Sequence, residues 1–181
     1  YDPPNMRNTS LVWLPHFATN YADGWTLDGS VEAHDERGRV RMAGSMDTTI
    51  TDLANFAAAL VSGKGLSKTS RAELLRPALP IRSPSQFPVL ADDAPPADQP
   101  ANTASSVGQI TFAGPQGRAF FRGGHNDSTG NTLVCLEKGE RCVLIMSNDV
   151  RAEAAFPMIV REILGETGTP WRWIFGDMKF V

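Results

Sequence analysis

The residues most able to do chemistry are concentrated in the segment 122–131, which reads Arg-Gly-Gly-His-Asn-Asp-Ser-Thr-Gly-Asn. It follows directly on a strand-like run, Arg118–Phe121, and two glycines at the edge of a sheet let a ligand approach the backbone closely. A cation, an imidazole, an amide and a carboxylate come together within six residues: Arg122, His125, Asn126 and Asp127. This pattern favours a site for an anion or a carbonyl group at a strand edge, although a plain polar turn between two strands has the same composition.

Other kinds of site find little support in the sequence. The three histidines, His16, His34 and His125, lie far apart and no Cys-x-x-Cys is present, so no metal site is predicted. No Gly-x-Gly-x-x-Gly motif follows a strand, and no cofactor is expected. A Gly-x-Ser-x-Gly elbow is also absent, which argues against an α/β-hydrolase.

The overall composition is that of a globular chain. Its 181 residues are 41% hydrophobic and 20% charged, and a chain of this length can bury its own core. The net charge of −3 gives no sign of the basic face that nucleic-acid binding requires, and no apolar run is long enough to cross a bilayer. We therefore expect one domain without a nucleic-acid partner or a transmembrane segment.

Two helices are predicted in the first half of the chain. Thr49-Ile50-Thr51-Asp52 has the shape of a helix start, apolar residues then recur at helical spacing, and Gly63 ends the pattern. A second helix begins near Ser67 and ends before Pro77. Residues 1–45 are rich in turn signals, including two Asp-Gly pairs, and predict loops with one short hairpin.

Strands dominate the second half, before a final helix. The final helix covers Phe156–Leu164, with Pro157 in its first turn and Gly165 after its end. The pattern predicts an α+β fold in which an antiparallel sheet is flanked by helices. The predicted strands are Val107–Phe112, Arg118–Phe121, Thr132–Leu136 and Arg141–Met146, with a turn at Gly114–Gly117.

A proline-rich stretch, residues 80–106, separates the two halves. It holds six prolines and has no periodicity, so it predicts a long irregular loop. Such a loop fits a lid over a cleft or a disordered surface insertion.

The two cysteines, Cys135 and Cys142, fall in the last predicted hairpin. If Lys138-Gly139 is the turn, the two side chains lie directly opposite each other, and a narrow pair of this kind suits a disulfide. A bridge would indicate an oxidising compartment. Two small buried apolar residues are the alternative, and a shift of the register by one residue would separate the thiols.

Four spaced segments of the chain follow the order and spacing of motifs in one known family. Residues 1–10 resemble its Pro-Leu-Gly-Met-x-x-Thr stretch, with Pro4-Asn5 in place of Leu-Gly, and residues 43–56 resemble Ala-Gly-Gly-x-x-Ser/Thr-Thr-x-x-Asp-Leu-x-x-Phe. Residues 121–127 resemble its Lys-Thr-Gly or His-x-Gly strand, and residues 143–148 resemble the strand ending in Thr-Asn before its last helix. The family is the serine β-lactamase-like hydrolases, which include class C β-lactamases, penicillin-binding proteins, D-Ala-D-Ala carboxypeptidases and related esterases.

This resemblance implies the C-terminal portion of one catalytic domain. Residues 1–79 would belong to the mostly helical region, residues 80–106 to a loop, and residues 107–181 to the strands and terminal helix of the α/β region. It also implies a secreted or periplasmic enzyme that acts on an ester, amide or β-lactam through an acyl-serine intermediate.

The resemblance assigns roles to individual residues of the cluster. Arg122 stands where the family has Lys or His, so it is predicted to bind a substrate carboxylate, but a guanidinium cannot act as a base. Gly123 replaces a Thr or Ser, which favours an ester or amide over a β-lactam, and Gly124 matches the glycine beside which the acyl group packs. The backbone N–H of His125 would serve the oxyanion hole, Asn126 is predicted to contact substrate, and the role of the His125 side chain stays open.

The family's other two motifs, Ser-x-x-Lys and Tyr-x-Asn or Ser-x-Asn, do not occur in the 181 residues. In the family they precede the region that is matched here. We therefore expect an N-terminal segment, or a second chain of the same hydrolase, to supply them, and the 181 residues alone to be inactive. The alternatives are a non-catalytic binding module derived from this fold, or a structural domain with an incidental Gly-Gly turn.

Overall fold

The computed structural model describes residues 5–41, 43–88 and 91–181. The chain divides into two compact units. The first unit takes its described residues from 1–65, 123–133 and 144–153, and the second takes them from 66–122, 134–143 and 154–181. None of the described helices is long and apolar enough to cross a membrane.

The fold is α+β, as the sequence predicts. The helices are a 3₁₀ helix at Pro15–Thr19, α1 at Ile50–Ser62, α2 at Lys68–Leu74, a 3₁₀ helix at Val150–Ala155, α3 at Phe156–Leu164 and α4 at Trp171–Phe175. The strands are β1 at Gly24–Trp25, β2 at Val31–Glu32, β3 at Leu79–Pro80, β4 at Thr103–Ser105, β5 at Ile110–Gly114, β6 at Gly117–His125, β7 at Gly130–Leu136 and β8 at Arg141–Ser147. Strands β1 and β2 form a small hairpin, and the other six form one sheet in the order β3-β4-β5-β6-β7-β8.

Helix α1 begins where its sequence predicts, and its first turn also anchors the N-terminal segment. The Thr49 hydroxyl accepts a hydrogen bond from the Asp52 backbone N–H, and Gly63 ends the helix in the left-handed conformation. The Asp52 carboxylate, which is buried, accepts hydrogen bonds from the Asn8 N–H at 2.7 Å and the Thr9 hydroxyl at 2.9 Å. One acidic side chain therefore satisfies polar groups that lie more than 40 residues away in sequence.

Three of the predicted strands are longer than expected, and one begins later. The predicted strand Val107–Phe112 is wrong at its start, because Gly108 adopts a positive φ and Ser106 donates to the Gln109 carbonyl in a turn. Strand β5 therefore begins at Ile110. The predicted turn is confirmed, since Gly114 pairs with Gly117 across Pro115-Gln116.

The terminal helix α3 is confirmed, but it does not close the chain. After α3, the backbone crosses the β5–β6 turn so closely that a side-chain carbon on Gly114 would lie 1.8 Å from the Thr167 carbonyl oxygen. The Gln116 amide donates to the carbonyls of Leu164 and Glu166 at 2.7 and 2.9 Å. The second unit then adds α4, a short aromatic helix that the sequence reading did not predict.

The proline-rich stretch has no helix or strand in its described residues between Pro80 and Thr103. Its two ends, however, pair with each other as β3 and β4, with Leu79 opposite Ser105. The Trp173 indole N–H donates to the Ser83 hydroxyl at 3.1 Å, and the Trp173 carbonyl accepts from the Gln86 N–H at 2.8 Å. The strand at Thr103–Ser105 was missed because three residues are too few to show an alternating pattern.

Cys135 and Cys142 are joined in a disulfide across the β7–β8 hairpin, with their Cα atoms 4.1 Å apart. Glu140 in the turn has a positive φ of 51°, and Gly139 one of 79°. The Cys135 side chain is fully buried. The bridge therefore links the two strands of the hairpin from within the second unit.

The two units differ in what they bury. Among the described residues, the second unit buries mainly apolar side chains, including Leu75, Phe112, Phe120, Phe121, Leu136, Phe156, Val160, Leu164 and Trp173. The first unit buries a mixed set that includes Thr9, Ser10, Ser45, Asp52, Ser128, Thr132 and Glu153 beside Met6, Phe17, Leu60, Val61 and Leu133. The first unit therefore depends strongly on buried polar groups having partners.

Replacing Asp52 tests that dependence. D52A should lower the free energy of unfolding by about 1–3 kcal/mol, because it removes the acceptor of the Asn8 N–H and the Thr9 hydroxyl. D52N keeps one acceptor oxygen and should cost less. Urea denaturation of the two variants measures the difference, and equal stability of D52A and the wild type would contradict this role.

Candidate functional site

The end of β6 carries the residues that the sequence singles out. The pairing of β6 with β5 ends at Ile110 opposite Phe121, so Arg122–His125 extend beyond the end of β5. Strand β6 lies between β5 and β7 in the sheet, so the expectation of an edge strand is wrong for β6 as a whole and applies only to its last four residues on the β5 side. Arg122, Gly124 and His125 are exposed, and Gly123 is half-buried.

The two glycines of this segment have different surroundings. A side-chain carbon on Gly123 would lie 3.1 Å from the Asn131 carbonyl oxygen, which is tighter than ordinary packing. A side-chain carbon on Gly124 would meet no described atom within 4 Å. Gly124 therefore faces open space, and the packing of the described residues does not require a glycine there.

Arg122, the last residue of the second unit before Gly123, is a cation without a partner in the described part of the chain. Its guanidinium forms no hydrogen bond or ion pair with residues 5–41, 43–88 or 91–181. Arg118, four residues earlier on the same strand, donates to the Leu75 carbonyl at 3.0 Å and to the Glu137 carboxylate at 3.1 Å. Strand β6 thus carries one arginine bound to neighbouring groups and one without a partner among the described residues.

The turn after β6 is organised by Asn126. Its side-chain oxygen accepts hydrogen bonds from the backbone N–H groups of Ser128 at 2.9 Å and Thr129 at 2.7 Å, and from both of their hydroxyls. The Asn126 N–H donates in return to the Thr129 carbonyl. The carbonyl half of the Asn126 amide is therefore committed to the turn, as in other Asx turns.

Strand β1 supports this turn at close range. A side-chain carbon on Gly24 would lie 2.2 Å from the Ser128 hydroxyl oxygen, so only glycine fits there. The Trp25 N–H points at the carbonyls of Ser128 at 3.1 Å and Asn148 at 2.8 Å, and the Asn148 amide donates to the Asp23 carbonyl. The β6–β7 turn is thus held by two other segments of the first unit.

His125 and Glu153 form a pair that the sequence reading did not find. The imidazole Nδ1 lies 3.3 Å from a Glu153 carboxylate oxygen, and the two side chains are 42% and 2% exposed. Glu153 lies on the 3₁₀ helix Val150–Ala155 and occupies the space beside Gly130, where a side-chain carbon would lie 2.5 Å from the Glu153 Cγ. The two residues are 28 positions apart, and no local pattern predicts a buried glutamate in this helix.

Burial governs the ionisation of this pair. Loss of solvation raises the pKa of the Glu153 carboxyl above its ordinary value of 4.5, and the hydrogen bond and charge of His125 oppose that rise. Burial therefore favours the protonated Glu153 carboxyl, and the neighbouring imidazole favours the ionised form.

The fold of the chain can be compared with solved structures. A class C β-lactamase gives a TM-score of 0.59 over 81% of this chain and 43% of its own, at 11% identity. The octameric penicillin-binding protein homologue from Pyrococcus abyssi gives 0.67 over 95% of this chain and 37% of its own, at 12% identity. The chain shares the fold of class C β-lactamases and penicillin-binding proteins.

This β-lactamase-like fold is present only in part, since the chain spans less than half the length of these structures. A class C β-lactamase in complex with cefoxitin also matches, with a TM-score of 0.59 at 11% identity. No family profile and no curated protein matches the sequence.

The segments that carried the resemblance fall on definite elements. Residues 43–56 lead into α1 and form its first half. Residues 143–148 include most of β8. Residues 121–127 form the end of β6 and the start of its turn. Tyr1–Pro4 of the first segment lie outside the described residues.

Gly130 and Gly124 have contrasting surroundings and so give a matched test of stability. G130A should lower the free energy of unfolding by about 1–3 kcal/mol, because its methyl group would overlap the buried Glu153 side chain. G124A should change it by less than about 0.5 kcal/mol, since open space surrounds that position. Chemical denaturation gives both values, and equal effects would show that Glu153 does not fill the space beside Gly130.

The raised pKa of Glu153 predicts a dependence of stability on pH. A group that binds its proton more tightly in the folded state stabilises that state below its unfolded pKa and loses this contribution as the pH rises through the folded pKa. The stability of the wild type relative to E153Q should therefore fall as the pH rises from about 4.5 and then level off. Urea titrations at several pH values measure this difference, and a constant difference would contradict the buried carboxyl.

Proposed function

We propose that this chain forms one wall of the active site of a serine hydrolase that works through an acyl-serine intermediate. The nucleophile comes from polypeptide outside these 181 residues, as an N-terminal segment or a second chain of the same hydrolase. The substrate is an ester, amide or β-lactam, and the absence of a hydroxyl at Gly123 favours an ester or amide.

The observation that carries this proposal is the exposed end of β6 beyond β5. Arg122 and Gly124 are exposed there, Gly124 faces open space, and the turn that follows is braced by Gly24, Ser128 and Glu153. A rigid backbone edge beside open space is suited to bind an acyl group, because preorganised donors need not rearrange during the reaction. The shared fold with class C β-lactamases supports the same assignment.

Each residue of this edge has a role in the proposal. The backbone N–H of His125 donates to the oxyanion, and the loss of one such donor typically costs about 2.7–4 kcal/mol of transition-state stabilisation. Arg122 binds an anionic group of the substrate, and Gly123 and Gly124 let the acyl chain lie against the strand. Asn126 contributes through its amide nitrogen, since its carbonyl oxygen is held in the turn.

The proposed enzyme acts in a secreted or periplasmic compartment. The Cys135–Cys142 disulfide supports this location, because such bridges persist in oxidising compartments.

The coding sequence upstream of Tyr1 provides the direct test. A Ser-x-x-Lys and a Tyr-x-Asn there identify the nucleophile, and the longer polypeptide should hydrolyse nitrophenyl esters while its Ser-to-Ala variant does not. The 181-residue chain alone should show no turnover. Activity of the 181-residue chain that survives repurification, or an inactive longer polypeptide that contains both motifs, would overturn the proposal.

Arg122 predicts a preference among substrates. In the active polypeptide, R122Q should lower kcat/KM about 10- to 100-fold for a nitrophenyl ester that carries a free carboxylate, because a charged hydrogen bond is lost. Hydrolysis of nitrophenyl acetate, which lacks that carboxylate, should be unchanged. R39Q removes another exposed arginine and serves as the control, and an equal loss on both esters would contradict carboxylate binding by Arg122.

A further inference from the structure

Positive charge is concentrated in a loop of the first unit, Arg37–Arg41, which we call the arginine loop. Its sequence is Arg-Gly-Arg-Val-Arg, and its five residues line a cavity of about 590 Å³. Sites for small molecules have volumes of about 300–1,000 Å³. The cavity therefore has room for a small organic ligand, and the residues that line it carry three guanidinium groups.

The positive charge of this loop exceeds the negative charge that contacts it. One oxygen of the Asp35 carboxylate lies 3.0 Å from Nε of Arg37 and 3.6 Å from a terminal nitrogen of Arg41. Arg39 is exposed and has no hydrogen bond or ion pair with any described residue. The neighbouring acidic residue, Glu36, does not line the cavity. Three guanidiniums against one carboxylate leave an excess of two positive charges.

Hydrogen bonds hold the backbone at both ends of the arginine loop. The Arg37 carbonyl accepts from the Trp13 N–H at 2.9 Å, and the Arg37 guanidinium donates to the Gly44 carbonyl at 2.7 Å. The hydroxyl of the buried Ser45 accepts from the Arg41 N–H and donates to the Arg41 carbonyl at 2.9 Å. A loop that is held in this way loses less conformational freedom when a ligand binds.

The middle of the loop carries hydrogen-bond donors without acceptors. In the part of the chain that the structure describes, no group accepts a hydrogen bond from the backbone N–H of Gly38, Arg39 or Val40. A side-chain carbon on Gly38 would meet no described atom within 4 Å, so a ligand can approach the backbone there. Backbone N–H groups and guanidiniums both donate, and the oxygens of an anion accept from both.

We propose that the arginine loop binds the phosphate group of a phosphomonoester. A guanidinium matches the oxygens of a phosphate, and a phosphomonoester carries a charge of about −1.5 to −2 at neutral pH, which offsets the excess of two positive charges. A single carboxylate, with one negative charge, would offset half of it. The cavity is larger than one phosphate ion, so the organic part of the ester has space beside the anion. This binding does not depend on the proposed hydrolase activity.

Calorimetric titration of the 181-residue chain tests the choice of ligand. The probes are glucose 6-phosphate, inorganic phosphate and acetate, at about pH 7.5 and low ionic strength, where a phosphate is doubly charged and screening is weak. Glucose 6-phosphate should bind at least as tightly as inorganic phosphate and about 10-fold or more tightly than acetate. Binding of inorganic phosphate without binding of the ester would overturn the proposal, and so would equal affinity for acetate.

A matched pair of arginine variants separates a site from general attraction to positive charge. R39Q should raise the Kd for glucose 6-phosphate about 10-fold or more, because a hydrogen bond to a charged group is lost. R161Q removes an exposed arginine of α3 and the same net charge, so it is the control and should change the Kd less than about twofold. Equal weakening by the two variants would overturn the site.

Nuclear magnetic resonance of the ¹⁵N-labelled chain locates the ligand. Glucose 6-phosphate should shift the backbone amide signals of Gly38, Arg39 and Val40 in proportion to saturation, and R39Q should reduce the shifts of the other two. Thermal unfolding establishes first that R39Q is folded, as expected for a side chain that contacts no described residue. Shifts confined to other parts of the chain would overturn the proposal.

Discussion

A buried carboxylate fills the space of an absent side chain, and the arrangement around the β6–β7 turn depends on this contact. Glu153 can lie beside β7 only because residue 130 has no Cβ, and Gly24 permits the same close approach of β1 to Ser128. Burial of an ionisable group is unfavourable unless a partner compensates for its lost hydration, and His125 supplies that partner. Two contacts therefore hold the turn: the His125–Glu153 pair and the close approach of Gly24 to Ser128.

The two ends of strand β6 have different surroundings. At its start, β6 pairs fully with β5, and Arg118 is bound to groups of the second unit. At its end, the strand continues without β5, and Arg122 and Gly124 are exposed. The pairing with β5 ends at Phe121, and the strand continues beyond β5 through Arg122–His125.

Local signals in the sequence were sufficient for most helices and turns. The Thr49 cap, Gly63, Gly165 and the Pro115-Gln116 turn are each determined by neighbouring residues, so their positions could be predicted. Strand β4 and helix α4 could not, since three and five residues carry no readable period. The cluster at 122–131 was visible as a group of residue types, but the Glu153 contact depends on tertiary placement 28 residues away from His125, which no spacing rule contains.

The end of β6 differs at two residues from the Lys-Thr-Gly strand that it resembles. Arg122 keeps a positive charge but cannot exchange a proton, and Gly123 lacks a hydroxyl, so the strand alone offers only electrostatic binding and backbone donors. The His125 imidazole follows one residue after Gly124, and its Nδ1 lies 3.3 Å from a carboxylate oxygen of the buried Glu153. An apolar side chain in the place of Glu153 would stabilise the unit with less cost in lost hydration, so stability alone does not explain this buried pair.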